Sequence, residues 1–530
     1  VGATKIYRQS KLFSLARIRM PKSDGARQCR AISIYIIAAL IYIVVFFHRL
    51  VAASIGDEFQ NRFGGSTNMS LDEMLGTFGS LYFYFYAFLQ PFVGIIVDAI
   101  KPRWTIFTAG ILMTGGSVII AFPRQLAVVY FGRSLVGIGA AFVYVPILKL
   151  IALWFPIHRF ALLTGIMVAL GGLGGFVCTA PLTILIQTIA TNAAAKDLIF
   201  EYIFGIVGGI TALLTLIFVC VAHDTPEKAG YAPIVNQSTS QSEAASTGPA
   251  VQNDTVPTTG PTVAEGSLVS SGVVNIPDSA HDFYCNTAAP TFEILEPATK
   301  SATASLAKKS RMAEFCDSMK IVFCSENSKY LILMMVAYFF CVGSYFTISA
   351  TAGVQLITNT VTSGGTSVKL EATWVQAGLN LGTIVGSPLQ SVLANLMGRK
   401  PMQLINNGIM FLVYLGIAIA KIVNPAIWSY AILYVLIGLV GGTMIVVAYT
   451  NVKEMFPIAV SGTAIGFFNI APFLGAAVFQ NVSPLLIKLN GGNKYENMCY
   501  LLAANTAVAA CVVIFSKETR AVKSRKQKRT

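Results

Sequence analysis

The sequence predicts an all-α membrane protein with twelve transmembrane helices in two pseudo-symmetric six-helix bundles. Three observations carry that reading: a composition too apolar for a soluble chain of this length, apolar runs of spanning length in two groups of six, and an internal repeat. Of the 530 residues, 55% are hydrophobic and 12% are charged, where an ordinary soluble domain has about 25% charged residues.

The charge is as uneven as it is scarce. Residues 1–30 carry eight Lys and Arg against Asp24, and residues 517–530 carry seven against Glu518. These two tails hold nearly all of the net charge of +14. Basic tails that flank hydrophobic helices suit a face rich in anionic lipid, not a nucleic-acid surface. Nine cysteines show no metal-ligand spacing; Cys178, Cys220, Cys341 and Cys511 sit inside apolar runs, where cysteine packs as a small hydrophobe. No disulfide, metal or other cofactor is expected. The first apolar run follows a long basic segment and is itself long enough to span, so it reads as a membrane helix and not as a cleaved leader.

A bilayer core about 30 Å thick takes about 20 apolar residues at helical rise. Runs of that size fall at 31–53, 75–97, 104–122, 126–150, 161–187 and 200–222, and again at 329–351, 374–396, 403–423, 426–448, 458–484 and 497–516. The chain therefore divides into a basic tail (1–30), a bundle (31–222), a linker (223–328), a second bundle (329–516) and a second basic tail (517–530). The linker is rich in Ser, Thr, Pro and Ala and poor in large apolar residues, a composition that favours disorder. Within it, 308–326 has the pattern of a short amphipathic helix.

Loop charge sets the orientation. With the amino terminus inside, Lys101, Arg103, His158, Arg159, Lys308, Lys309, Arg311, Arg399 and Lys400 lie on the cytoplasmic side. Asp57, Glu58, Asp72, Glu73 and the polar loop 359–371 lie opposite. Both termini are then cytoplasmic by the positive-inside rule, with a plasma or inner membrane as the default.

Residues 137–175 align without gaps on 438–476, placing Gly137 on Gly438, Phe155-Pro156 on Phe456-Pro457, Gly165 on Gly466 and Gly174 on Gly475. Glycines at such positions let helices approach closely in lipid. A parallel repeat of six spans implies two bundles with a site between them near the midplane.

The loop after the second span reads GIIVDAIKPRW (94–104), and its counterpart in the second half reads SVLANLMGRK (391–400). The fourth span begins RSLVGIGAA (133–141). These segments resemble signatures of the major facilitator superfamily: Gly94, Asp98, Lys101 and Arg103 match the first loop, and Gly398, Arg399 and Lys400 match the second. Lys101 stands where the family has a second Gly, and Asn395 where it has the Asp. The resemblance implies a secondary transporter working by alternating access. It also implies an inner-face latch at Asp98, and a coupling or gating role for Arg133.

Ionisable residues inside spans are functional candidates by default. Span 1 carries His48 and Arg49; span 4 carries Arg133 and Lys149. Tyr35, Tyr42 and Arg49 fall within about 40° on one helix face, and Arg133 and Tyr144 within about 20°. Tyr338 and Tyr345 repeat the seven-residue tyrosine spacing in span 7. Tyr82, Tyr86 and Gln90 form a stripe on span 2, and Gln376 and Asn380 lie one turn apart on span 8. In the superfamily, spans 1, 4, 7 and 10 line the central cavity, which makes Arg49, Tyr42, Arg133, Tyr144, Tyr345 and Tyr449 the lining candidates here.

No Asp or Glu lies deep in a span, so proton coupling would fall to His48 or to the substrate itself. A cavity with cations and no acids favours an organic anion: a carboxylate, a phosphate ester or an amino acid held by its carboxylate. The Gly-Pro motif that drug–proton antiporters carry in span 5 is absent. The expected partners are the solute, with or without a coupling ion, and the bilayer; no nucleic acid is expected, and the chain reads as a monomer. No nucleotide-binding loop or catalytic domain is visible, so an enzyme is not expected. The rival reading is a non-transporting sensor or partner-binding protein on the same scaffold.

Overall fold

The computed structural model describes residues 24–123, 125–191, 198–231, 311–360, 367–423, 427–442, 444–489 and 494–519. Most of both basic tails and the middle of the linker (232–310) lie outside the described residues.

Twelve long helical segments follow in order: α1 (Asp24–Ala53), α2 (Leu71–Ile100), α3 (Pro102–Ala121), α4 (Leu126–Trp154), α5 (Leu162–Ala190), α6 (Ile199–Val221), α7 (Ser328–Thr360), α8 (Ser367–Met397), α9 (Arg399–Ala420), α10 (Ile427–Met455), α11 (Val460–Lys488) and α12 (Tyr495–Ile514). Among the described residues, all except α8 are long and apolar enough to cross a membrane. α8 is longer than any single run predicted, yet Gln376, Asn380, Thr383, Ser387 and Gln390 interrupt its apolar surface. All five are buried, the one way a spanning helix accommodates them.

Local sequence explains a helix start and two missing backbone donors. Ser70 and Glu73 form a reciprocal capping box at the start of α2. Pro91 in α2 and Pro388 in α8 occupy equivalent positions and each removes one backbone donor. Several helices outrun their apolar cores. α7 continues to Thr360 and α8 resumes at Ser367, so the described residues of the expected polar loop 359–371 are helical. The amphipathic pattern in the linker is realised as a helix, Arg311–Cys324, whose Phe315 and Phe323 pack on Phe467 of α11.

The packing repeats from one bundle to the other. In the first, α1 lies against α5 and α6, α4 against α2 and α3, and α3 against α6. In the second, α7 lies against α11 and α12, α10 against α8 and α9, and α9 against α12. The bundles meet through α2 with α11 and α5 with α8, two contacts exchanged by the same pseudo-two-fold relation. Two glycine pairs set the closeness. A Cβ on Gly137 would collide with the backbone of Tyr82, and one on Gly438 with that of Leu379. Gly174 is pressed on Ile43 and Gly475 on Phe339 in the same way. Gly165 faces open space, although the alignment places it on Gly466. The outer helices α3, α6, α9 and α12 present Ile111, Val118, Ile206, Leu213, Leu412 and Val508 outward, as lipid-facing helices do. Of the cysteines, Cys178, Cys341 and Cys499 are buried, whereas Cys220 and Cys511 lie on exposed faces.

Candidate functional site between the bundles

Arg49 lies in the last α-helical turn of α1, which ends at Leu50 and passes into a tight 3-10 turn, Val51–Ala53. Its side chain is 4% exposed. Five aromatic rings surround the guanidinium: Phe46 at 4.6 Å, Tyr82 at 5.7 Å, Tyr86 at 5.0 Å, Phe346 at 5.9 Å and Phe473 at 5.4 Å. The first three belong to one bundle and the last two to the other. Ring faces attract a cation, and more strongly when it is desolvated. They do not supply a counter-charge: among the described residues no carboxylate pairs with Arg49, and its Nε is buried without a hydrogen-bond partner.

Arg133 of α4 is fully buried and faces the end of α1. It donates from Nη1 to the His48 carbonyl at 2.5 Å, from Nη2 to the Arg49 carbonyl at 3.5 Å and from Nε to the Phe78 carbonyl at 3.0 Å. The last carbonyls of a helix lack intrahelical donors and carry its partial negative charge, so a cation suits that place. Arg133 therefore holds the α1 end against α2 and fixes the backbone from which Arg49 projects. His48 points elsewhere, with Nε2 3.2 Å from Ser117 Oγ of α3, inside the first bundle.

Tyrosines from both bundles complete the surroundings. Tyr42 stacks on Tyr144 with centroids 5.3 Å apart. Tyr449 donates to Asn469 Oδ1 at 2.5 Å, and Asn469 Nδ2 donates to Gln90 Oε1 at 3.0 Å, a polar chain crossing from α10 and α11 to α2. Tyr345 and Thr383 hydroxyls are 3.3 Å apart. Tyr42, Tyr86, Tyr345 and Tyr449 all lie within electrostatic reach of the Arg49 charge. Gln376 and Asn380 make other contacts. Gln376 donates to the Ile348 and Ser349 carbonyls, which a π-helical segment of α7 (Ile348–Ala352) exposes. Asn380 packs against Gly175 where α8 meets α5.

The signature loops lie at the face where α1 begins and α12 ends. There Asp98 pairs with Lys149 of α4, while Gly94 has open space beside it. Arg103 donates to the Val219 carbonyl and, from its backbone, to Asp224. In the second bundle Arg399 grips Glu454 at 2.9 and 3.3 Å and Asn395 at 2.7 Å. Gly398 adopts φ 108°, and Lys101, at the equivalent position, φ 77°. These ion pairs run within one bundle. At the opposite face they run between bundles: Lys369 with Asp57 at 2.6 Å and Glu58 at 3.9 Å, and Lys488 with Glu73 at 2.5 Å. Tyr495 also donates to Asp72 at 2.9 Å across the same seam.

The structure thus gathers Arg49, Tyr42, Tyr144, Tyr345 and Tyr449 around one point. It places His48, Gln376 and Asn380 in other packing roles and sets Asp98, Arg103, Gly398 and Arg399 at the terminal face. Sequence reasoning missed Phe46, Phe346 and Phe473, which look like ordinary apolar residues, and Asn469, whose polarity inside FFNIAPF was a usable signal.

A family model described as Major Facilitator Superfamily matches residues 32–480, and the chain belongs to that family. It is a multi-pass membrane transporter, not an enzyme. A curated relative, the MFS-type transporter TOXA of Cochliobolus carbonum, is 27% identical over 144 residues, covering 27% of this chain and 25% of that protein. The fold is similar to that of a D-xylose–proton symporter (TM-score 0.61, 14% identity, 92% of this chain and 98% of that one). It is also similar to the nucleoside transporter NupG (TM-score 0.60, 10% identity, 92% and 99%) and to the xylose transporter XylE of E. coli (TM-score 0.61, 15% identity, 93% and 98%).

Proposed function

We propose that the chain carries a small organic anion across the membrane by alternating access, with Arg49 taking the anion's charge. The observation that carries this reading is a buried guanidinium, reached by rings of both bundles, that has no carboxylate partner among the described residues. Burying an unpaired charge is costly, by several kcal/mol even after relaxation at about the scale found for buried ions. An anion between the bundles offsets that cost and links both halves to one ligand. Tyr42, Tyr144, Tyr345 and Tyr449 then contribute hydroxyls and ring faces, while Arg133 positions Arg49 and does not itself meet the solute. The charge of the termini puts the face with Asp98 and Arg399 in the cytoplasm. Rocking of the bundles then breaks the Lys369, Lys488 and Tyr495 contacts to admit solute from outside.

Thermal stabilisation of the purified protein by carboxylates, phosphate esters, amino acids, sugars and nucleosides tests this, with Arg49→Gln in parallel. Stabilisation by an anionic class that the substitution abolishes supports the reading. Stabilisation by neutral solutes alone, or by anions equally in both proteins, overturns it.

A further inference from the structure

We infer that the solute is a monoanion: one carboxylate on a flat, largely apolar body, not a dicarboxylate or a phosphate ester. This rests on the reading that Arg49 receives an anion, and adds to it the number of charges and the character of the rest of the molecule.

The charge follows from where the other cations are committed. Among the described residues, three Lys or Arg side chains are buried: Arg49, Arg133 and Arg399. Arg133 spends its guanidinium on the carbonyls of Phe78, His48 and Arg49. Arg399 is bidentate to Glu454 at the terminal face. Lys149, the next cation along α4, is paired with Asp98. One positive charge is left for a ligand, and a second negative charge would be buried uncompensated.

The pseudo-two-fold relation makes the same point independently. Gly174 rests on Ile43 of α1 and its counterpart Gly475 on Phe339 of α7, which sets Arg49 opposite Tyr345. A site for a dianion could hold a cation at each of these two positions. Here the second is a neutral phenol engaged with Thr383.

The walls define the body. Phe46, Tyr82, Tyr86, Phe346 and Phe473 present rings around the charge, surfaces that suit a planar apolar group. One turn of α2 beyond Tyr86, Gln90 is 3% exposed, and its Nε2 makes no well-formed hydrogen bond, its neighbour being the Tyr86 hydroxyl. Its amide offers neutral N–H donors to an uncharged acceptor on the solute.

The test uses the full chain in proteoliposomes and in detergent, with benzoate, phthalate, benzyl phosphate and benzyl alcohol as probes. Benzoate is expected to stabilise the protein and to drive counterflow at concentrations about tenfold or more below those needed for phthalate or benzyl phosphate. Tyr345→Arg, which places a second cation at the symmetry-related position, is expected to reverse the order toward phthalate. Equal or better binding of the dianions by the unaltered chain, abolished by Arg49→Gln, overturns the monoanion and leaves the anion carrier standing. Benzyl alcohol matching benzoate, with no effect of Arg49→Gln, overturns both. If Tyr345→Arg fails to fold, the benzoate-to-phthalate ratio of the unaltered chain decides alone.

Discussion

Arg133 and Tyr434 do equivalent work in the two bundles. The alignment that places Gly137 on Gly438 places Arg133 on Tyr434. Arg133 donates to the carbonyls that end the α-helical part of α1, and the Tyr434 hydroxyl donates to the Gly353 carbonyl of α7 at 2.7 Å, just past its π-helical segment. In each bundle, a polar group from the fourth helix secures the interrupted end of the first. The chemistry has diverged: a cation serves the side that carries Arg49, and a phenol serves the other.

Unequal consequences follow for substitution at the two positions. Tyr434→Phe removes one neutral hydrogen bond and leaves a buried carbonyl less satisfied, a loss of about 1–2 kcal/mol. Arg133→Gln removes charge-assisted bonds to three carbonyls and should cost about 3 kcal/mol or more. It should also weaken solute binding, because the backbone of Arg49 is released. Thermal unfolding together with ligand-induced stabilisation separates the two effects. Equal losses of stability at both sites would refute the assignment.

Lys101 holds φ 77° without being glycine, whereas Gly398 adopts φ 108° at the equivalent turn. Side chains resist that region by about 1–2 kcal/mol. Lys101→Gly should therefore stabilise the protein by about 1 kcal/mol, once the looser unfolded chain is allowed for. Gly398→Ala should destabilise it, the more so because its Cβ would lie 2.8 Å from Glu518. A fall in unfolding temperature for Lys101→Gly would contradict this.

Glu58 ties pH to the face opposite the termini. It is 8% exposed, and the groups facing it are Lys369 of the other bundle and its neighbour Asp57. Burial raises its proton affinity above the usual carboxylate range, more than Lys369 lowers it. Opening this face returns Glu58 to water and to its ordinary value. The closed arrangement thus binds the proton more tightly, so acid favours closure, and that advantage is lost as pH rises through the raised value. Distances between spin labels on the two bundles at this face should shorten on acidification. The dependence should shrink in Glu58→Gln; a dependence that persists undiminished there rules the mechanism out.

Carboxylates just past α6 and α12 close matching helix starts. Asp224 accepts from the backbone N–H of Arg103 at 3.2 Å, and Glu518 from those of Arg399 and Lys400 at 3.1 and 2.9 Å. A carboxylate at a helix amino end contributes about 0.5–2 kcal/mol. Glu518→Ala should lose about that much, and more than Asp224→Ala, since Glu518 accepts from two backbone N–H groups of a helix start and Asp224 from one. Unfolding temperatures of the two variants check the order.

Much of the fold was legible because lipid imposes a simple rule: every spanning backbone must bond internally, so apolar length reads directly as helices. The apolar residues of α8 predict the helix, but only α5, α7 and α10 packed around it explain its buried amides. The tyrosines near Arg49 could be picked out by helical phase, since one helix face repeats every turn. The phenylalanines around the same guanidinium could not, because nothing local distinguishes a ring that faces a cation from one that faces a leucine.

By itself, the sequence determined the two-bundle, all-helical membrane architecture, through apolar length and an internal repeat, both of them properties of contiguous residues. The tertiary structure decided which polar groups are committed and which are left over. It turned Arg133 toward backbone carbonyls, His48 toward Ser117 and Gln376 toward a π-helical segment, and left Arg49 among rings from both bundles. Those outcomes depend on pairs of residues far apart in the chain. The free energy of a buried charge is set by what surrounds it in space, and no reading of one helix at a time contains that.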